Sequence, residues 1–257
     1  MSEGYYNDFI KKYTEERLSL ERLSLLETLK RNKKCNGFTL ICEIKHASPS
    51  GEYKYKKIDV ENAAKIFKNS GADAISVVVE PKIFRGKIEN IGMAKKAGLP
   101  VLFKDFVISE KQIIAARNAG ADAILLVMKV IQRLNLNLEK LIDIAHQNKL
   151  EVLLESYDGT ELKAAMKTKA DILGINNRDL RTLTVDIERT KRAIDELGTS
   201  GLDRPLISES GIKTAFDIKF VKNAGASGAL VGTAIWTAKD IKEKIAELKC
   251  LKPKCSK

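Results

Sequence analysis

The sequence predicts an α/β protein built as a single (β/α)8 barrel, the TIM-barrel architecture, with extra helices ahead of the first strand. Three observations carry this. Eight short apolar runs alternate with eight amphipathic helical stretches along 257 residues, a length typical of such barrels. The runs are continuously apolar, the pattern of parallel strands buried on both faces. A segment also recurs: Gly71-Ala72-Asp73-Ala74-Ile75 returns as Gly120-Ala121-Asp122-Ala123-Ile124, 49 residues on (120 minus 71). Looser copies stand at Lys169-Ala170-Asp171-Ile172 and Gly225-Ala226-Ser227-Gly228. The interval is two strand–helix units, the quasi-period of a wound barrel. In the full copies a helix ends at Gly, which takes the left-handed terminal position, and a strand follows at once. The competing architecture, an open doubly wound sheet, more often begins with a Gly-x-Gly-x-x-Gly turn, and the chain has none.

Residues 5–33 come first, with Phe9, Ile10, Tyr13, Leu18, Leu20, Leu23, Leu25, Leu26 and Leu29 at helical spacing, so one or two helices precede the first strand. Strands are expected near 39–44, 74–79, 100–104, 122–128, 151–155, 171–176, 205–209 and 228–231. Helices are expected over 58–70, 87–97, 109–119, 137–148, 159–168, 185–198, 213–224 and 238–249. No internal linker interrupts the series, so 1–257 reads as one domain, with 1–36 as a helical extension and 250–257 as a frayed basic tail.

Composition narrows the function classes. The chain is 44% hydrophobic, enough for a sizeable core, and no run approaches the roughly 18 apolar residues of a membrane span. The polar start lacks a signal-peptide core, which points to a cytoplasmic protein. Four cysteines without a Cys-x-x-Cys pair, and only His46 and His146 beside them, argue against a metal site. Cys42 reads as a small buried hydrophobe, and Cys250 and Cys255 as free thiols. The net charge of +11 is spread along the chain and only 6% of residues are aromatic. A solvated surface therefore ranks first, steering of an anionic substrate second, and nucleic-acid binding a distant third.

Barrel chemistry sits where strands end. Glu43 and Lys45 leave strand 1 on one face, followed by Ser48, Pro49, Ser50 and Gly51. Strand 2 ends at Glu80-Pro81, with Phe84 beyond, and strand 3 at Lys104-Asp105-Phe106. The later ends supply Lys129, Glu155, Asn176-Asn177-Arg178-Asp179, Ser208-Glu209-Ser210-Gly211 and Gly232-Thr233. Each charge alone could start a solvated loop or close a strand with an ion pair. Seven of them (Glu43, Lys45, Lys104, Lys129, Glu155, Arg178 and Glu209) converging on one mouth favour an active site. The two late glycine turns fall where barrels hold a phosphate by backbone amides, although either could be a plain tight turn.

Taken together, these segments resemble the indole-3-glycerol-phosphate synthase family of tryptophan biosynthesis. The segments are Glu43–Gly51, Ile75–Pro81, Lys104–Phe106, Gly120–Leu126, Gly174–Leu180 and Ser208–Ile212, extended by Gly232-Thr233 and covering about residues 38–236. The resemblance implies a decarboxylating, dehydrating ring closure of 1-(2-carboxyphenylamino)-1-deoxyribulose 5-phosphate to indole-3-glycerol phosphate, without a cofactor. It implies Lys104 as general acid, Glu155 as its acid–base partner in water loss, and Glu43 with Lys45 at the reacting centre, the two lysines being open to an exchange of tasks. Asn176 and Ser210 complete the implied catalytic set. Arg178 joins Asn176 in touching the anthranilate or hydroxyl groups. Ser48, Gly211, Gly232 and Thr233 are the implied phosphate contacts, with Glu209 nearby, and Pro49, Phe84, Phe106 and Leu180 the apolar walls. A buried lysine among other cations should have a lowered pKa suited to giving up its proton. The implied partner is a phosphorylated small molecule, with neither nucleic acid nor membrane. Other tryptophan-pathway enzymes are conceivable partners, and the sequence does not set the oligomeric state.

Two departures stand out: His46 where the family usually has a basic residue such as Arg, expected to act from behind the site or to lie on the surface, and Val79 where Thr is common. Loop 51–57 could serve as a lid. Two alternatives remain. One is another phosphate-binding barrel such as phosphoribosylanthranilate isomerase, whose Cys–Asp pair Cys42 would serve only if it faced the mouth. The other is a non-catalytic nucleic-acid-binding barrel, against which Glu43, Glu155 and Glu209 would repel phosphates.

Overall fold

The computed structural model describes residues 22–48, 55–198 and 201–249. Eight parallel strands close on themselves in chain order, β1 pairing with β2 and also with β8. They are β1 Thr39–Ile44, β2 Ala74–Val78, β3 Val101–Lys104, β4 Ala123–Val127, β5 Glu151–Ser156, β6 Ile172–Asn176, β7 Leu206–Glu209 and β8 Gly228–Val231. The helices are α1 Leu25–Lys34, α2 Val60–Asn69, α3 Glu89–Lys95, α4 Glu110–Ala119, α5 Met128–Arg133, α6 Leu138–Gln147, α7 Gly159–Met166, α8 Glu188–Asp195, α9 Ala215–Asn223, α10 Thr233–Trp236 and α11 Ile241–Leu248. The barrel and its alternating helices are as expected. The predicted helix within residues 5–33 is met by α1, while residues 1–21, the 250–257 tail and most of the 51–57 lid segment lie outside the described residues.

Side-chain alternation divides the core in two. Ile41, Leu102, Leu153, Ile172, Ile207 and Leu230 fill the barrel interior, and α1 plugs its lower end with Leu25 and Leu29. Cys42, Ile44, Val77, Phe103, Ile124, Leu154 and Ile175 point outward into the layer beneath the helices. Cys42 is a free, fully buried thiol, and burial pushes its pKa up. The free-thiol reading of Cys250 and Cys255 falls outside the described residues.

The internal repeat has a job. The carboxylate of Asp73 accepts from Leu40 N (2.8 Å) and Lys249 Nζ (2.7 Å). Asp122 accepts from Val101 N (2.8 Å) and Lys95 Nζ (2.5 Å). Asp171 accepts from Val152 N (2.8 Å) and meets His146 Nε2 at 2.9 Å. Each Asp thus staples the strand after its helix to the strand before it, at the end of the barrel opposite the strand termini. Gly71 (φ 99°) and Gly120 (φ 93°) supply the left-handed step that brings the Asp into place.

Two helices were not expected. α5 begins at Met128 straight from β4, without turn residues to announce it, and α10 is a single turn after Gly232. The first has a consequence for Lys129, described below.

Candidate active site

The inward strand positions just above the apolar interior are Glu43, Lys104, Glu155, Asn176 and Glu209. Each stands two residues beyond an interior side chain on its own strand, or four beyond it for Asn176. They floor a cavity of about 800 Å³ at the carboxyl ends of the strands. Its walls include Lys45, Ser48, Phe84, Phe106, Arg178, Leu180, Ser210, Gly211, Gly232 and Thr233. Of the predicted site residues only Pro49 is not placed there, because it lies outside the described residues.

Charges in the floor are tightly paired. Lys45 Nζ lies 2.9 Å from Glu43 Oε1. Lys104 Nζ lies 3.3 Å from Glu209 Oε2 and 3.8 Å from Glu43 Oε2. The Asn176 amide favours the ionised form of Glu155, and its Oδ1 accepts from Arg178 N (3.0 Å). Burial alone would raise the pKa of Glu43, but the ammoniums of Lys45 and Lys104 outweigh it and hold Glu43 ionised. Glu155 and Glu209 go the other way. Burial dominates over Lys104 and raises both, Glu209 to about 8. Glu209 Oε1 has no hydrogen-bond partner among the described residues. For Lys104, burial is outweighed by Glu209, Glu43 and Glu155, and its pKa is raised. The expected lowering of Lys104 is therefore overturned: its nearest neighbours are three carboxylates rather than cations.

Lys129 does not join this mouth. As the second residue of α5 it lines a small neighbouring cleft with Glu155, Asn176 and Arg178, its ammonium 4.1 Å from the centre of the Tyr157 ring. Arg189 stacks on the same ring at 3.8 Å, and Tyr157 Oη donates to Asp179 Oδ2 (2.6 Å). Asp179 in turn accepts from Arg181 N (2.7 Å) and Thr182 N (3.1 Å), ordering the loop that carries Arg178 and Leu180. His46 is buried rather than on the surface: Nδ1 meets Lys56 O at 3.0 Å and Nε2 meets Asn90 Nδ2 at 3.1 Å. Cys42 points away from the cavity, which removes the isomerase-type Cys.

Several supports escaped sequence reasoning. A Cβ on Gly232 would lie 2.6 Å from Glu43 Oε1, and one on Gly174 would lie 2.7 Å from Glu209 Oε1, so both glycines clear space for carboxylates. Trp236 Nε1 donates to Glu43 O (2.8 Å), pinning the end of β1. Glu80 accepts from the backbone of Lys82, Ile83 and Phe84 (2.9, 2.6 and 2.9 Å) and so shapes the turn that brings Phe84 to the wall. Gly174 sits inside a motif already singled out, and the chain has a single Trp. Those were the available signals, but neither names its partner.

Comparison with known proteins bears on the fold and on the family. Thiamine phosphate pyrophosphorylase from Pyrococcus furiosus superposes with a TM-score of 0.61 over 85% of this chain and 96% of its own, at 19% identity, a likeness of fold alone. Indole-3-glycerol phosphate synthase from Caldanaerobacter subterraneus is 41% identical over 75% of this chain and 73% of its own. That from Listeria monocytogenes is 41% identical over 82% and 81%. That from Methanothermobacter marburgensis is 35% identical over 91% and 81%. The family model described as indole-3-glycerol phosphate synthase matches residues 5–248, a span that includes every strand end built into the cavity. By the family model and by these relatives, the chain belongs to the indole-3-glycerol phosphate synthase family.

Proposed function

We propose that this chain is a single-domain carbon–carbon lyase that closes the indole ring of 1-(2-carboxyphenylamino)-1-deoxyribulose 5-phosphate. The observation that carries the reading is Lys104, set between Glu209 and Glu43 in the cavity floor, with Glu155 and Asn176 in the same floor. The ring carbon bearing the carboxylate attacks the ketone, forming the carbon–carbon bond and pushing the carbonyl pair onto oxygen. Lys104, held as a cation, stabilises that oxyanion and passes it a proton. The transfer runs downhill despite the raised lysine pKa, because an alkoxide is the stronger base. The carboxyl group leaves as carbon dioxide, its bonding pair restoring the aromatic ring. The new hydroxyl then leaves as water while a neighbouring C–H gives up its proton, with Glu155 as the acid–base group. Counted from the ionised carboxylate, one proton is consumed per turnover.

The supporting roles follow the same reading. Lys45 holds Glu43 and faces the substrate carboxylate, and Ser210 completes the catalytic set. Phe84, Phe106 and Leu180 line the cavity where the anthranilate ring would press against the ketone. Arg178 touches the hydroxyl or carboxylate groups. Ser48, Gly211, Gly232 and Thr233, which line the cavity wall, receive the phosphate. Pro49 is assigned to the ring wall on the resemblance alone. Cytoplasmic location and action without a cofactor belong to the same proposal.

The test is direct. On addition of the carboxyphenylamino-deoxyribulose phosphate, indole fluorescence should rise in step with release of one carbon dioxide per substrate. Well-folded protein that yields neither would overturn the reading.

A further inference from the structure

Asn176 and Asn177 are neighbours with opposite orientations. Asn176 faces the cavity, while Asn177 is fully buried behind the barrel wall, among β6, β7 and α8. Every hydrogen-bonding position of its amide is used. Nδ2 donates to Ser208 Oγ (3.0 Å) and Ser210 O (3.0 Å). Oδ1 accepts from Thr190 N (3.2 Å) and Thr190 Oγ1 (2.9 Å). The hydroxyls of Thr190 and Ser208 meet at 2.7 Å, and both residues are fully buried. The backbone joins in, with Asn177 N donating to Glu209 O (2.8 Å).

This network grips an unusual piece of backbone. Ser210 (φ 68°) and Gly211 (φ 81°) are consecutive left-handed residues. Glycine adopts that region freely, but for serine it is an uphill conformation that surrounding contacts must hold. The Asn177 amide bonds the carbonyl of Ser210, at the centre of the turn. The turn lines the cavity wall beside Gly232 and Thr233.

We infer that Asn177 is a positioning residue for the phosphate end of the substrate. From behind the wall, braced by Thr190 and Ser208, it keeps the Ser210-Gly211 turn in the shape that offers its backbone N–H groups to a phosphate monoester. The inference rests on the proposed function for the identity of the ligand, but its geometry is independent of the ring-closing chemistry.

Asn177→Asp is nearly isosteric and keeps an oxygen toward Thr190. It replaces the donor with an oxygen facing the Ser210 carbonyl. Substrate KM, kcat and the affinity for inorganic phosphate, measured by competitive inhibition and calorimetry, separate the outcomes. KM and the phosphate dissociation constant should both rise about tenfold, the equilibrium equivalent of one buried hydrogen bond, with kcat within about threefold. A purely structural role would reduce the active fraction, lowering kcat while leaving KM and phosphate affinity unchanged, and that result overturns the inference. Thr190→Ser keeps the bracing hydroxyl and should match wild type, whereas Thr190→Val removes it and should weaken phosphate about threefold. If Asn177→Asp does not fold, Thr190→Val decides: weakened phosphate supports the inference and unchanged phosphate overturns it. Wild-type protein that binds phosphate but yields no indole would count against the proposed reaction alone, and the phosphate comparison would still decide the role of Asn177.

Discussion

Gly232→Ala tests whether the floor is built to sub-ångström tolerance. The backbone at Gly232 has φ −122° and ψ −74°, so its φ does not demand glycine. Space does. A Cβ would lie 2.6 Å from Glu43 Oε1, 3.2 Å from Glu43 Cβ and 3.3 Å from Glu43 Cδ. Restoring ordinary contact at about 3.4 Å pushes Oε1 away by about 0.8 Å. That same oxygen holds Lys45 at 2.9 Å, so the displacement is passed to the pair. A misplacement near 1 Å at a reacting centre costs about 10²-fold, so kcat should fall about 10²-fold, or about 2.7 kcal/mol of transition-state stabilisation. Because a side chain rather than backbone must yield, stability should change by no more than about 1 kcal/mol. Initial rates by indole fluorescence and a thermal melt read both quantities. Introducing Gly232→Ala into Glu43→Asp, whose shorter side chain withdraws from the added methyl, should cost far less than it does in wild type. A raised KM with unchanged kcat would refute the reasoning and leave Gly232 with the phosphate alone. Full activity would refute it outright.

Lys104→Met should fold and lose about 10³-fold in kcat, the range of a general acid. Loss of less than about tenfold would move proton delivery to Lys45 or water. Glu209 has its folded pKa raised to about 8 from 4.5, so the native state holds the proton more tightly than the unfolded chain. The resulting stability is fully present below pH 4.5 and is lost as pH rises through about 8. The melting temperature of wild type should therefore fall relative to Glu209→Gln between pH 5 and 9, and a constant difference would contradict the assignment. Asp122→Ala strands buried Lys95 and two backbone donors, Leu23 N and Val101 N, so it should cost about 3–5 kcal/mol, or roughly 10 °C in melting temperature. A shift near zero would show that this staple contributes little.

Much of the site was legible because strands have a period of two. Once Ile41, Leu102, Leu153 and Ile207 are read as interior, Glu43, Lys104, Glu155 and Glu209 must face the same way at the strand ends. Asn176 followed from the same rule. Lys129 failed for a local reason: β4 becomes α5 at Met128, and three or four residues per turn replaced alternation just where the rule was being applied. For His46 only the surface alternative fell, and its partners, Asn90 and the Lys56 carbonyl, were not legible because they come from other segments.

By itself the sequence determined the order of strands and helices, the glycine punctuation of the repeat, the inward residues at each strand end, and the family those residues resemble. Only the tertiary structure decided that Lys104 is ringed by Glu209, Glu43 and Glu155, that burial raises the pKa of Glu209, that Gly232 and Gly174 make room for Glu43 and Glu209, and that Asn177 braces Ser210. Periodicity fixes the direction of a side chain from its immediate neighbours in the chain. Charge and packing energies instead depend on separations of a few ångström and on exclusion of water, and closure of the barrel sets both between residues far apart in sequence.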